Sequence, residues 1–448
     1  MKQGIRRKAA PVYAVSFGCI GGKDVMPVGG WWGPFVSEDD DADYVTDFIK
    51  DKYFEMIAEA GVNVITVTPN TYGACPAETM RCLELAEKYN MGFFVHDGFF
   101  NDVANKNKLA ERAALFAGYK SCVGFHLIDE PSAKHFDALS QIYSAFERTG
   151  SNLLLYTNML PRYASGELLS GDKGGEMSLE EYLSLYLSKV RTKFLSYDFY
   201  PYSKKDGGNE KFEWYFENLS LAKKLCDEHG IPLWTFVQAG GQWDRENKPS
   251  VERYPSEGEF LFDVNANLAY GVKSIQYFTL IQPQEFSHTD TGRDYRRIGL
   301  IGADGRKNEW YDMARRANRQ ISSIGHILMN ASCEGIIAVG ETVQKNIGTG
   351  LPYTLCEIGS DGKRTHSRKY YELCGVSGSG IMIGCFNYRG GTALYAVNYD
   401  TKKTNEAVLH FDGEYAAKIY KDGVCSDFCG KDCALHFGAG EGIMVEIL

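Results

Sequence analysis

Two adjacent acids close an apolar run in "GFHLIDEPS". Phe125, Leu127 and Ile128 read as core residues, and Asp129 and Glu130 stand where the run ends. A carboxylate without partners is costly to bury. The pair therefore marks either the exit of a strand from the core or a pocket that uses acids. The chemistry open to such a pocket is general acid and base catalysis: one carboxylic acid protonates a leaving oxygen, and a second carboxylate acts as base or nucleophile. Asp198, in "SYDFYP", is the first choice for that second group, with Tyr200 on the same side of an extended strand. Asp97, Glu257 and Glu285 are the other candidates. Neighbouring side chains alternate along a strand, so one of Asp129 and Glu130 should face a substrate and the other hold the loop, unless the backbone turns there.

The elements that must position these acids repeat with one rhythm. Eight β-rich runs, starting at residues 26, 62, 91, 122, 152, 194, 231 and 274, are each followed by a segment of helical period. Several of those segments close on a glycine suited to a left-handed helix cap: Gly61, Gly150, Gly230 and Gly271. Eight β/α units of about 35 residues predict an α/β chain with a (β/α)8 barrel over residues 1–330. A doubly wound open sheet is the competitor, but "GGWWGP" after the first run is not a phosphate-binding loop. From residue 331 to 448 short alternating runs separated by Gly, Asp and Asn show no helical period. They predict an all-β sandwich domain.

In such a barrel chemistry gathers at the carboxyl ends of the strands. Those ends carry Trp31 and Trp32; Asn70; His96 and Asp97; Asp129 and Glu130; Asn158; Asp198 and Tyr200; Gln238 and Trp243; and Gln282. The aromatics suit the C–H faces of sugars, although they could equally cover the barrel mouth. Asn70, His96, Asp97, Asn158, Tyr200, Gln238 and Gln282 suit sugar hydroxyls. His126 is expected to be a hydrogen-bonded histidine of the barrel interior rather than a metal ligand.

"GFHLIDEPS", "YTNMLPRY", "LSYDFYPY", "WTFVQA" and "LAYGVKSIQYFT" together resemble the clan A glycoside hydrolases, including an unassigned bacterial subgroup with "DEP" in place of Asn-Glu-Pro. The resemblance spans nearly the whole barrel. It implies a glycosidase with Glu130 as acid/base, acting on an oligosaccharide or glycoside. It also implies a nucleophilic Glu at the end of the seventh strand, and there the chain has Gln238. An amide oxygen is far less basic than a carboxylate. Three accounts stay open: another acid, Asp198 first; inversion through a water; or a substrate N-acetyl group assisted by an Asp129–Glu130 pair, as in β-hexosaminidases. A non-catalytic carbohydrate-binding barrel is the rival class.

The totals narrow the partners. The net charge of −10 and the lack of a basic stripe argue against nucleic acid. No run is apolar for long enough to span a membrane. Twelve scattered cysteines and a start without an apolar leader favour reduced thiols and a cytosolic setting, a secreted protein with its signal removed being the alternative. Cys425, Cys429 and Cys433 in "CSDFCGKDC" read as ordinary thiols ahead of a metal site. No cofactor and no metal is expected. The partner expected is a carbohydrate, and oligomeric state is open.

Overall fold

The computed structural model describes residues 11–37, 44–202, 212–241, 243–244, 253–283, 293–294, 298–347, 354–358 and 370–448. Eight parallel strands form the first sheet: β1 (Val28–Gly30), β2 (Val64–Ile65), β3 (Gly92–His96), β4 (Cys122–Asp129), β5 (Leu154–Met159), β6 (Leu195–Tyr197), β7 (Leu233–Gln238) and β8 (Ser274–Phe278). Their neighbour order is β1-β8-β7-β6-β5-β4-β3-β2. The two ends of that order meet. The Asn63 N–H donates to the Val28 carbonyl at 2.9 Å and the Thr66 N–H to that of Gly30 at 3.1 Å, closing the ring. The expected (β/α)8 barrel is the observed one.

Helices α1 (Asp51–Glu59), α2 (Pro76–Lys88), α3 (Leu109–Ala114), α4 (Phe136–Glu147), α5 (Gly166–Ser170), α6 (Leu179–Lys189), α7 (Phe212–His229), α8 (Glu257–Ala269) and α9 (Glu309–Leu328) fill the crossovers. The helical spacing in the sequence is what they bury: α4 turns Phe136, Leu139, Ile142, Tyr143 and Phe146 inward. The glycines after α1 and α7 take the left-handed conformation, with φ of 79° at Gly61 and 68° at Gly230. Inside the ring, Phe94, Tyr156, Phe194 and Trp234 form the floor, and Phe17 plugs it from below against Phe94 and Trp234. A filled interior leaves the chemistry to the other, carboxyl-terminal mouth.

The C-terminal sheet contains β9 (Ala331–Val339), β10 (Thr354–Ile358), β11 (Leu373–Ser377), β12 (Ile381–Tyr388), β13 (Gly391–Asn398), β14 (Asn405–Lys421), β15 (Val424–Phe437) and β16 (Gly442–Ile447). The first half of β14 pairs with β11 and the second half with β16, across a register shift between His410 and Tyr415. The sheet thereby folds over its own core, which includes Ile337, Val376, Ile383, Leu394, Leu409 and Leu435. This is the expected sandwich with two differences. Glu341–Ile347 is a helix (α10), anchored by Val343 and Ile347 one turn apart, and β10 runs parallel to β9. A seven-residue helix is too short to show a period among strands.

The sandwich sits directly on α8. Alternate residues of β12 and β13 divide between two cores: Ile381, Ile383, Leu394 and Ala396 face the sandwich, while Met382, Phe386, Ala393 and Tyr395 face the barrel layer. Arg316 of α9 joins the halves through Glu257 (3.0 Å), Asp422 (3.2 Å) and Glu441 (3.1 Å).

Candidate active site

The acids of "IDEP" end β4, whose Phe125 and Leu127 are buried in the helix layer while His126 points into the ring. Asp129 registers against Asn158 of β5. The backbone then turns sharply: Glu130 has φ of 45°, and its N–H donates to the Asn158 carbonyl at 2.9 Å. A left-handed conformation at a residue with a Cβ costs about 1–2 kcal/mol. The turn defeats the alternation expected of neighbouring residues. Both Asp129 and Glu130 therefore line one cavity.

That cavity has a volume of about 350 Å³, and among the described residues it is lined by Trp31, Asp129, Glu130, Asn158, Tyr163, Asp198, Tyr200, Phe236, Gln238, Gly240, Gly241, Phe278 and Ile298. Asp129 and Glu130 keep solvent-accessible surface at its floor, whereas Asp198 is 7% exposed. Glu130 and Asp198 line the same cavity, each within reach of the cluster's charge. The Asn158 amide donates to Asp198 Oδ1 at 2.8 Å, and strand register sets Asn158 against Asp129.

Crowding three carboxyls in a concave site favours their protonated forms. Burial pushes Asp129 up to about 7, the charge of Asp198 adds to the rise, and the Asn158 amide opposes it. Glu130 is raised by burial first and by the Asp129 charge second. Asp198 is raised by burial first and by the Glu130 charge second, and its interaction with the Glu130 carboxyl raises it further while lowering Glu130, against the Asn158 donor and the Asp198 backbone N–H. One proton shared by Glu130 and Asp198 belongs to the pair. A group that holds a proton near neutral pH beside one that can release it is the equipment of acid/base chemistry.

Of the residues expected at the mouth, the cavity brings together Trp31, Asp129, Glu130, Asn158, Asp198, Tyr200 and Gln238. Gln238 is buried, and its amide is tied to backbone: Nε2 points at the carbonyls of Arg253 (2.8 Å) and Gly240 (3.1 Å), and Oε1 accepts from the Tyr202 N–H at 3.2 Å. At the seventh strand's end the chain thus has a loop anchor. Asp97 is turned away, 1% exposed, with Arg112 Nε at 2.7 Å from its Oδ2 and the Phe99 N–H on Oδ1. Asn70 bonds both the N–H and the carbonyl of Val36. His96 contacts the Thr68 carbonyl through Nδ1 at 3.2 Å. Trp32 packs on Phe278 and outside the described lining, and Gln282 is buried with its Oε1 toward the Ile298 N–H. Glu257 pairs with Arg316 on the sandwich side. The side chains of Trp243 and Glu285 lie outside the described residues.

His126 differs from its expected hydrogen-bonded state. Neither ring nitrogen has a partner among the described residues, and the ring lies edge-on to Trp31 (5.0 Å) and His96 (5.2 Å). Burial, with His96 nearby, pushes it well below the usual histidine range, so the ring is neutral. No cluster of three metal-ligating residues occurs among the described residues. Cys425, Cys429 and Cys433 are spread along β15, roughly 13 Å between successive members at strand rise, with Cys433 buried and the others exposed.

Sequence reading missed Tyr163, Phe236, Phe278 and Ile298. Phe236 and Phe278 were legible as inward positions, two residues from Gln238 and Gln276 respectively. Ile298 comes from the chain between β8 and α9 and carries no local signal.

The fold and site define a (β/α)8 barrel with a carboxylate-floored cavity at its carboxyl-terminal mouth, backed by a β-sandwich. No family model matches the chain, and no curated protein matches it in sequence. Solved structures share its architecture. A β-galactosidase from the psychrophilic Marinomonas ef1 is similar with a TM-score of 0.53 at 9% identity, over 94% of this chain and 100% of that one. A glycoside hydrolase family 5 structure from Bacteroides vulgatus ATCC 8482 gives a TM-score of 0.53 at 10% identity, over 94% of this chain and 89% of that one. At such identity the likeness is one of fold. No described helix is long and apolar enough to cross a membrane.

Proposed function

We propose that the protein is a glycoside hydrolase whose reaction runs at the Glu130–Asp198 pair. The observation that carries the reading is the meeting of Glu130, Asp129 and Asp198 in one aromatic-walled cavity, where Glu130 and Asp198 feel each other's charge. Glu130 donates its proton to the glycosidic oxygen as the bond from that oxygen to the anomeric carbon breaks, and the released alcohol carries the proton away. Asp198, as carboxylate, bonds to the anomeric carbon. Water then gives its proton to Glu130 and its hydroxyl to that carbon as the bond from the carbon to Asp198 breaks, so Glu130 regains its proton and Asp198 its charge. Asp129 supports the acid form of Glu130 through its charge. Trp31, Tyr200 and Phe278 offer faces for sugar C–H groups.

Glu130→Gln is expected to keep the fold and ligand affinity while turnover of activated aryl glycosides falls by about 10²–10⁴-fold. A variant that retains most of its turnover removes Glu130 from the reaction. The amide at the seventh strand's end favours a second reading, a non-catalytic carbohydrate-binding barrel. Glycan affinity with no turnover across an aryl-glycoside panel would select it.

A further inference from the structure

We propose that Asn158 is a positioning residue that clamps the carboxyl cluster and fixes Asp198 as the partner of Glu130, rather than a ligand for the sugar. The inference rests on the glycosidase reading and adds to it the means by which an acid on β6 takes the place of the missing acid on β7.

The orientation of the amide follows from its neighbours. Its Oδ1 accepts from Ser196 Oγ at 3.0 Å. Ser196 Oγ in turn receives Gln276 Nε2 at 3.1 Å and lies 3.1 Å from the Tyr156 hydroxyl, which donates to Gln276 Oε1 at 3.2 Å. All four side chains are buried in the ring. A hydroxyl has one proton to give, so the Ser196 proton settles the carbonyl side of Asn158 and leaves its NH₂ for acceptors. The acceptor is Asp198 Oδ1 at 2.8 Å, and Asp129 stands beside Asn158 in strand register. Both sides of the amide are engaged before any sugar arrives.

The arrangement predicts what the clamp does. An N–H donated to a carboxylate favours its charged form, and the nucleophile must be charged while its partner keeps the proton. The groups facing Asp198 are Glu130 and Asp129 from β4, Asn158 from β5 and, through their charge coupling, Tyr156 and Tyr182. Among these side chains Asn158 is the donor that stabilises the anion, and the Asp198 backbone N–H adds to it. Without it the pair takes up its second proton at higher pH.

The test compares wild type with Asn158→Ala and Ser196→Ala, following both turnover of an aryl glycoside and carboxyl titration by NMR. Asn158→Ala is expected to move the acidic limb of the kcat profile up by about one pH unit, to lower kcat at least tenfold and to leave KM within about twofold. Ser196→Ala should shift the limb in the same direction by less, and it serves as the test if Asn158→Ala fails to fold. A raised KM with an unmoved limb makes Asn158 a sugar ligand and overturns the proposal. So does a general loss of activity with an unchanged carboxyl titration. If wild type turns over no glycoside, the glycosidase reading fails by itself. The NMR titration then still decides the clamp, which is sustained by an upward shift of the Asp198 carboxyl in Asn158→Ala and overturned by none.

Discussion

Glu130 combines two unfavourable states, a left-handed backbone and a carboxyl crowded by two others. Natural chains keep such combinations where function requires them. The crowding also has a consequence for stability. In the unfolded chain these acids release their protons near pH 4. Folded, Asp129 holds its proton to about pH 7 and Glu130 and Asp198 are also raised. Between those values the folded chain binds more protons than the unfolded one, so stability falls as pH rises. The contribution is fully present below about pH 4 and lost through about pH 7. Glu130→Gln removes one of the titrating groups, so its gain in melting temperature over wild type should be larger at pH 8 than at pH 5. An equal gain at both would mean that the Glu130 carboxyl titrates as in water.

At the scale of elements, the site depends on register more than on any single strand. Asp129 and Asn158 meet because β4 carries a register shift between His126 and Asp129. Nothing in the alternation of "GFHLID" announces it, since a shift is fixed by the partner strand and not by local composition. By contrast, the start of α8 is set by neighbours in the chain. Ser256 and Glu259 form a capping box, and Glu259 also holds Arg253, whose carbonyl receives Gln238. Ser256→Ala should destabilise the protein by about 1 kcal/mol in denaturant melts. Because Arg253 links the helix start to the cavity wall, KM should respond more than kcat. A variant with wild-type stability would show that the box is redundant.

At the scale of the molecule, barrel and sandwich are joined by close backbone approach. A Cβ at Gly384 of β12 would stand 2.2 Å from the Ala269 carbonyl oxygen at the end of α8. Gly384→Ala should force the two layers apart and destabilise by about 1–3 kcal/mol, read as a lower midpoint and faster limited proteolysis between the layers. Unchanged resistance would show that the interface tolerates a methyl group. The same α8 is buried along nearly its whole length because it serves both layers. For that reason it has no exposed polar face of the kind a surface helix with one apolar stripe presents.

The sequence by itself determined the eight-unit barrel, the β-rich C-terminal region and the strand-end positions of Asp129, Glu130 and Asp198, because hydrophobic period and strand-end position are local properties. Only the turn at Glu130 brought both of the adjacent acids into one cavity. Tertiary structure decided which polar residues meet. It turned Asp97 to Arg112, tied Gln238 to the backbone of two loops, and set Asn158 between Ser196 and Asp198. Hydrogen-bond partners far apart in sequence compete for each polar group. Only the closed ring fixes which of them wins.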